Sequence, residues 1–351
     1  MREVTVPQMA AMVKRQFQHN PARPLFFWGP PGVGKTMTIK QVAQDLGVGF
    51  KETRIATMVP SDLRGVPVPD MQRKVTEWFT GEFLPDPEVD GPAGILLLDE
   101  YPQAPPVMQG LAQRIVLERR MGERYKLPDG WMVVALGNRR EDRASVYEMP
   151  AQTQNRFKHF LVLPDVDSFT EYAVRNDFHP HIIAFLNTNE EFLFRFEANA
   201  SGKPAWPSPR SWEAANEDYS LTEDPSDLEQ SVGARARDQF QAFYDVVLML
   251  PDQVKILEGQ ADELEMPTAR NSKYALVVAL ASRMRTAEQG INAFRWLKTK
   301  GLDNELIQVF LEMIVRRATA KGDKGVLAQL IAADPELKAS IEELMRALFA
   351  V

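Results

Sequence analysis

Apolar runs and helical spacing divide the chain into two parts near residue 164. In the first part, short apolar runs alternate with amphipathic stretches, and the runs Leu25–Trp28, Ile95–Leu98 and Met132–Leu136 are typical of buried strands. Alternating strands and helices favour a mostly parallel sheet covered by helices. After Pro164 the apolar positions repeat at helical spacing instead. The pattern predicts an α/β domain over residues 1–164, followed by a mainly helical region.

The helical region has three clear amphipathic stretches, which are Phe240–Leu250, Ala275–Met284 and Glu305–Val315. Two polar stretches rich in turn-forming residues, 197–209 and 221–230, are expected to be loops. We therefore predict an α/β core with a parallel sheet sandwiched by helices. An all-α domain over residues 165–260 and a C-terminal helical extension over residues 261–351 follow it.

Composition excludes several classes of protein. The 351 residues are 44% hydrophobic and 25% charged, enough to bury one or two ordinary cores. The net charge of -7 disfavours a broadly basic face for duplex DNA, although a local basic loop stays open. The chain contains no cysteine, which excludes disulfides and suits a reducing compartment. No stretch approaches the roughly 20 apolar residues that span a bilayer, so we expect a cytoplasmic protein without a membrane partner.

Two histidines flank Pro180 and resemble a metal-binding pair. The chain has only 4 histidines, and Asp177 is the only acid close to His179 and His181 in sequence. We therefore expect an exposed turn here rather than a metal site.

The strongest motif follows the first predicted strand and opens a helix. Its glycines permit a tight turn whose N–H groups face phosphate oxygens. Lys35 would neutralise β- and γ-phosphates, and Thr36 would bind Mg²⁺. A glycine-rich turn with an exposed lysine is the alternative, which the complete motif disfavours. The predicted nucleotide-binding residues are Gly29, Pro30, Pro31, Gly32, Val33, Gly34, Lys35, Thr36 and Met37.

A second motif is an apolar strand, Ile95–Leu98, that ends in the acids Asp99 and Glu100. Downstream of a phosphate-binding loop, we expect Asp99 to hold Mg²⁺ and Glu100 to polarise the attacking water. An ordinary solvated strand end is the alternative. A small-molecule kinase would not need a dedicated water-activating glutamate beside its Mg²⁺ acid, so water is favoured as the phosphoryl acceptor.

Over roughly residues 20–215 the chain resembles the MoxR-like branch of the AAA+ ATPases. The resemblance implies ATP and Mg²⁺ as ligands, a helical lid over residues 165–260, and self-assembly into a ring, expected to be a hexamer. Nucleotide would lie between neighbouring subunits. Besides the two motifs, it rests on Leu84-Pro85, Gly91-Pro92, Tyr101-Pro102-Gln103-Ala104-Pro105-Pro106, Ala135-Leu136-Gly137-Asn138, Asn155-Arg156-Phe157 and Ser208-Pro209-Arg210.

The resemblance assigns Asn138 and Arg156 to catalysis. Asn138 follows a strand and matches sensor 1, near the γ-phosphate and the attacking water, although an asparagine in a turn is the alternative. Arg156 matches the arginine finger, which stabilises charge on the γ-phosphate in the next subunit. Arg139, Arg140 and Arg143 lie nearby, and any of them could contribute a contact in trans or be a solvated loop arginine.

Arg210 matches sensor 2, the lid residue that couples nucleotide state to domain motion. The alternative is a simple helix N-terminus capped by Ser208 or Ser211.

Two segments resemble family-specific insertions. Residues 52–82 resemble the helix 2 insert, and residues 119–131 resemble the pre-sensor 1 hairpin, with Met121-Gly122-Glu123 as its turn. In this class such loops flank a central pore and touch the client protein. Arg64, Trp78 and Phe79 are candidates for that contact, and ordinary loop packing is the alternative.

We expect a Mg-ATP-dependent remodeller or chaperone of a client protein. The family's association with partners that carry von Willebrand factor A domains is an analogy. Two alternatives stay open. A nucleic-acid-dependent motor or loader is supported by Arg64, Arg73, Lys74 and Trp78, and a switch would bind ATP without hydrolysing it.

Overall fold

The computed structural model describes residues 1–79, 81–121, 125–142, 146–195, 205–321, 324–333 and 335–349. Contacts between these residues divide the chain into two compact units, Met1–Asp165 and Val166–Val351. The further boundary expected at residue 260 stays a prediction.

The first unit alternates strands with short helices and turns. Its strands are β1 (Arg2–Val4), β2 (Leu25–Trp28), β3 (Gly49–Arg54), β4 (Val66–Asp70), β5 (Val75–Phe79), β6 (Ala93–Asp99), β7 (Arg120–Met121), β8 (Tyr125–Lys126), β9 (Gly130–Gly137) and β10 (Lys158–Val162). Its helices are α1 (Val6–His19), α2 (Lys35–Leu46), α3 (Pro60–Arg64), α4 (Pro87–Asp90), α5 (Pro106–Leu117) and α6 (Ala151–Gln154).

Six strands form one sheet in the order β1-β10-β2-β9-β6-β3, and all neighbouring pairs are parallel. The parallel sheet flanked by helices and followed by a helical region confirms the predicted fold class. Because β2, β9 and β6 are adjacent and parallel, their carboxyl ends lie at the same edge of the sheet. The loops that follow these strands therefore meet there.

Trp131 determines how closely three strands approach on one side of the sheet. Its side chain is fully buried, and its indole N–H donates to Gly91 O at 3.0 Å. A Cβ on Gly94 would lie 2.6 Å from the Trp131 ring, and one on Gly49 would lie 2.7 Å from it. Glycine at both positions leaves space for the indole, since a methyl group would overpack the core.

Two antiparallel hairpins lie outside the six-stranded sheet. Strand β4 pairs with β5, and β7 pairs with β8. The predicted turn residues Gly122 and Glu123, and the side chain of Phe79, lie outside the described residues. The first hairpin belongs to the segment that resembles the helix 2 insert.

In the described residues of the second unit, all of the regular secondary structure is helical. Its helices are α7 (Val166–Arg175), α8 (Pro180–Thr188), α9 (Pro209–Thr222), α10 (Glu229–Val232), α11 (Ala234–Leu248), α12 (Gln253–Leu257), α13 (Arg270–Arg283), α14 (Ala287–Thr299), α15 (Asn304–Lys321), α16 (Lys324–Ala333) and α17 (Pro335–Phe349). No helix in the described ranges is long and apolar enough to cross a membrane.

The loop predicted over residues 221–230 is largely wrong. Pro225–Leu228 forms a 3₁₀ turn and leads into α10. Asp224 explains the difference, because its side chain accepts a hydrogen bond from the N–H of Ser226 at 2.9 Å and so starts the turn. Most of the other predicted loop, 197–209, lies outside the described residues.

The exposed turn predicted around His179 and His181 is also wrong. His181 is only 4% exposed, and its Nδ1 lies 2.9 Å from the Tyr219 hydroxyl on α9. Arg283 of α13 donates to His181 Nε2 at 3.3 Å, so Nδ1 carries the proton and donates to Tyr219. His179 packs against His181 at 4.5 Å and lies 3.5 Å from the Glu223 carboxylate. As a neutral group, His181 connects α8 to α9 and α13.

Burial, with additional repulsion from His179 and Arg283, lowers the pKa of His181 to about 3. In the unfolded chain the pKa is about 6.5. Between these values the unfolded chain binds a proton that the folded chain does not, so this contribution to stability is present above pH 6.5 and is lost as the pH falls.

We predict that acidification from pH 7 to pH 5 lowers the free energy of unfolding by about 2 kcal/mol through His181 alone. The variant His181→Gln keeps a donor for Tyr219 and an acceptor for Arg283 but cannot titrate. Urea unfolding of both proteins at several pH values measures the difference. Equal pH slopes for the two proteins would contradict the prediction.

Candidate nucleotide-binding site

The loop between β2 and α2 is held at the carboxyl edge of the sheet. The N–H of Gly29 donates to Gly137 O at 3.1 Å, and a Cβ on Gly29 would lie 2.5 Å from Val162 O. Gly32 and Gly34 have φ angles of 82° and 90°, which side-chain-bearing residues rarely adopt. Gly34 precedes the first turn of α2, whose N–H groups are available to an anion. The loop therefore has the backbone geometry of a phosphate cradle.

Lys35 lies within this loop rather than in solvent. Its side chain is 8% exposed, and Nζ donates to Gly29 O and Pro30 O, each at 2.7 Å. A third contact, at 3.3 Å, joins Nζ to Oδ1 of Asn138. A buried ammonium is stable only with such partners. The alternative of an exposed lysine is wrong, and the positive charge is already held beside the cradle.

Thr36 and Asp99 come together from α2 and β6. The Thr36 hydroxyl donates to Asp99 Oδ2 at 2.9 Å, and the N–H of Glu100 donates to Asp99 Oδ1 at 2.8 Å. Hydroxyl and carboxylate oxygens are ligands that Mg²⁺ prefers, and Mg²⁺ commonly takes one or two protein ligands together with phosphate and water oxygens. The described residues contain no group of three or more His, Asp or Glu side chains that could hold a metal alone. The donor set fits a phosphate-bound Mg²⁺.

Glu100 has an unusual backbone conformation. Its φ angle of 54° places it in the left-handed region, and the chain continues directly into the 3₁₀ turn Tyr101–Gln103. Such a conformation costs a non-glycine residue about 1 kcal/mol or more. Within the described residues, no hydrogen bond or ion pair engages the half-buried Glu100 carboxylate. Its oxygens are therefore available to accept a proton.

Asn138 is placed by the end of β9. The preceding residue, Gly137, approaches the Pro102 ring so closely that a Cβ would lie 2.4 Å from it. This contact holds the end of β9 against the turn that follows Glu100. The structure thus brings Lys35, Thr36, Asp99, Glu100 and Asn138 to one edge of the sheet.

The remaining predicted nucleotide-binding residues lie along the loop and the start of α2. Val33 is 3% exposed and packs inward, whereas Met37 is 68% exposed on α2. Pro30 is buried and Pro31 is half-buried. The loop backbone, rather than these side chains, forms the cradle.

The arginines near the site differ in their local partners. Arg139 is bound by Asp142, to which its backbone N–H donates at 2.8 Å and its Nη2 at 3.0 Å. The Asp142 carboxylate accordingly raises the pKa of Arg139. Arg140 and Arg156 are exposed, and no acid in the described part of the chain pairs with either. Arg143 lies outside the described residues.

Arg210 lies in the second unit, at the start of α9. The Ser208 hydroxyl accepts a hydrogen bond from the Ser211 N–H at 3.1 Å, so a capped helix N-terminus is present. Arg210 itself is exposed. The cap explains why the helix begins here but not why an arginine occupies this position, and sensor 2 stays a prediction.

Sequence reasoning missed a contact behind the cradle. Trp28, the last residue of β2, donates from its indole nitrogen to Nδ1 of His159 at 3.0 Å. The signal in the sequence was the alternation of rings at Phe26 and Trp28 on one strand and at Phe157 and His159 near another. Phe26 contacts all three other rings, with centroids 4.4 to 5.5 Å away.

The fold and this arrangement define a P-loop nucleotide-binding domain. Residues 25–159 match the model of the ATPase family associated with various cellular activities, AAA. Over these residues the chain is similar to that family. None of the curated proteins matches the sequence.

Several solved structures are similar to the chain at low identity. A protein from Cytophaga hutchinsonii, described provisionally as an ATPase, is 14% identical over 88% of this chain and 92% of that chain, with a TM-score of 0.34. NtrX from Brucella abortus in complex with ADP is 15% identical over 96% of this chain and 68% of its own, with a TM-score of 0.33. Hsp104 with ATPγS and casein is 18% identical over 72% of this chain and 45% of its own, with a TM-score of 0.37. The ligands of these proteins are properties of those chains.

Proposed function

We propose that the protein hydrolyses Mg-ATP. The observation that carries the proposal is the convergence of a buried lysine, a hydroxyl–carboxylate pair and an unengaged carboxylate on one phosphate cradle. The Lys35 ammonium, the Thr36 hydroxyl and the Asp99 carboxylate supply charge and Mg²⁺ ligands. Glu100 supplies a base next to them.

In the proposed reaction, a water oxygen forms a bond to the γ-phosphorus of ATP. The bond between that phosphorus and the β,γ-bridging oxygen breaks, and ADP leaves with the electron pair. Glu100 accepts a proton from the water, and Asn138 orients that water. Lys35 stabilises negative charge on the phosphate oxygens. Mg²⁺, held through Thr36 and Asp99, would neutralise further charge on the β- and γ-phosphates.

The state of Glu100 disfavours a non-hydrolysing switch. A carboxylate that served only to hold the fold would be expected to have partners, because buried polar groups are usually hydrogen-bonded. Instead, this residue retains a strained backbone and no side-chain partner among the described residues. Strain of this kind tends to persist at functional sites.

We further propose that the protein works as a ring, with six subunits as the expected number. A cation on the far side of the γ-phosphate accelerates hydrolysis. Arg156 is exposed, and no acid in the described residues pairs with it. Arg139 is less suitable, since its guanidinium is already engaged by Asp142. Arg156 from a neighbouring subunit is therefore the proposed finger, and Arg210 on the helical unit is the proposed sensor 2.

The hairpin formed by β4 and β5 is the proposed contact with a client protein. It carries exposed apolar side chains, including Met71 at 83% and Trp78 at 46% exposure, with Val66 and Val75 beside them. Exposed apolar groups are favoured at surfaces that bind other proteins. A client, or an adaptor with a von Willebrand factor A domain as in the MoxR-like proteins, would fit this surface.

The nucleic-acid alternative has weaker support from the same hairpin. Arg73, near its tip, forms an ion pair with Glu77 at 2.8 Å, which offsets its charge. Lys74 remains exposed beside it. A backbone-tracking groove needs several uncompensated cations together with stacking rings, so a protein client is favoured.

We predict that Glu100→Gln lowers ATP turnover by about 10²–10⁴-fold, because a general base contributes on that order. Affinity for Mg-ATP should persist, since the cradle and Lys35 are unchanged. Phosphate-release kinetics and calorimetry measure the two properties. Glu88→Gln, the same change at an exposed acid of α4, is the matched control. Unchanged turnover in Glu100→Gln would remove the hydrolytic mechanism.

We predict that Arg156→Ala lowers turnover by about 10³-fold or more, the order expected for an arginine finger. Arg140→Ala, an exposed arginine of the same region, should turn over near the wild-type rate. Wild-type turnover per subunit should rise with protein concentration as subunits assemble. Loss in Arg140→Ala but not in Arg156→Ala would move the finger to Arg140.

We predict that the Glu100→Gln form, loaded with Mg-ATP, retains a client protein from cell extract, and that nuclease treatment leaves the capture intact. Adding Trp78→Ser should weaken capture, because it removes an exposed apolar contact. Val89→Ser removes a side chain that is 80% exposed on α4 and serves as the control. Capture that disappears with nuclease would favour the nucleic-acid motor.

A further inference from the structure

His159 forms a bridge between two polar groups. Its Nδ1 accepts the Trp28 indole hydrogen at 3.0 Å, and its Nε2 lies 2.8 Å from the backbone oxygen of Gln154. An indole nitrogen can only donate and a carbonyl oxygen can only accept. His159 is therefore neutral, with its proton on Nε2.

One end of this bridge belongs to the phosphate cradle. Trp28 immediately precedes Gly29, whose N–H donates to Gly137 O and whose oxygen accepts from Lys35. A shift of the Trp28 backbone would therefore move the loop that holds the nucleotide.

The other end belongs to the turn that carries Arg156. Gln154 is the last residue of α6, and Asn155 and Arg156 follow it. The turn is closed by Arg156 N–H donating to Thr153 O at 3.1 Å and by Phe157 N–H donating to Gln154 O at 3.3 Å. His159 Nε2 donates to the same Gln154 oxygen.

The packing around His159 restrains the imidazole without requiring its nitrogens. His159 is opposite Phe26 in the register of β10 with β2. Its ring lies 5.5 Å from the Phe26 ring and 6.1 Å from that of Phe157. A phenylalanine would supply the same ring contacts. The two directional hydrogen bonds are what the histidine adds.

We propose that His159 is a positioning residue for Arg156, anchoring the turn of the finger to the strand that enters the phosphate cradle. The proposal rests on the proposed function, in which Arg156 acts on nucleotide in the neighbouring subunit. Within one subunit, Trp28, His159 and Gln154 then connect the phosphate cradle to the arginine finger that acts on the next subunit. Displacement of a catalytic group by about 1 Å can reduce rates by about 10²-fold, so the anchor matters for turnover.

The test compares variants that keep or remove the hydrogen bonds. His159→Phe retains the ring contacts and removes both bonds, and we expect turnover to fall about tenfold. Trp28→Phe removes one donor and should give a smaller loss. His159→Gln can still donate to Gln154 and should recover most of the turnover lost in His159→Phe. His19→Phe, at the exposed end of α1, controls for the loss of a histidine.

Nucleotide affinity separates positioning from general damage. Binding of Mg-ATP should be unchanged in His159→Phe, because the proposed loss concerns a contact made only in the neighbouring subunit. Arg156→Ala/His159→Phe should turn over no more slowly than Arg156→Ala, since residues that act as a unit are not additive. Weakened binding in parallel with turnover, or additive losses, would overturn the positioning role.

Nitrogen NMR of histidine-labelled wild-type protein tests the bridge without any substitution. His159 should show a protonated Nε2 and an unprotonated Nδ1, and Trp28→Phe should shift the Nδ1 resonance. A proton on Nδ1 would overturn the proposal. Normal turnover in Arg156→Ala would overturn it together with the trans finger. Impaired Arg156→Ala with normal His159→Phe and Trp28→Phe would overturn this inference alone.

Discussion

A buried ammonium group is the constraint on which the first unit depends. Lys35 donates to two loop oxygens and to Oδ1 of Asn138. These contacts hold its positive charge beside the glycine-rich loop. The proposed phosphate ligand would therefore meet a positive charge at a site whose geometry already exists. The parallel order of β2, β9 and β6 makes this possible, because it brings the loop and Asn138 together.

Much of the fold was readable from local sequence patterns. Leu25–Trp28 was predicted to the residue, since a short apolar run is bounded by Pro24 and Gly29. The environment of His181 was not readable, because its partners Tyr219 and Arg283 are 38 and 102 residues away along the chain. A neutral imidazole can be buried when both of its nitrogens are satisfied, and nothing nearby in the sequence reveals such distant partners.

The candidate site shows the same difference between local and long-range features. The glycine loop and the paired acids carry their chemistry within a few consecutive residues, and parallel topology brings them together. The engagement of Arg139 by Asp142 was close in sequence yet missed, since several arginines compete for one role and sequence does not show which is paired. The bond between Trp28 and His159 joins residues 131 apart. Long-range pairs of this kind require the three-dimensional structure.

The left-handed backbone of Glu100 places two demands on a single position. Glycine or asparagine would adopt that conformation with less strain, so folding alone favours a residue that lacks the carboxylate. The proposed hydrolysis requires the acid, which would account for the strained alternative. Replacement of Glu100 by a residue that favours the left-handed region would give a more stable protein without the proposed general base. A protein that did not need the carboxylate would thus meet no backbone obstacle to glycine or asparagine at this position.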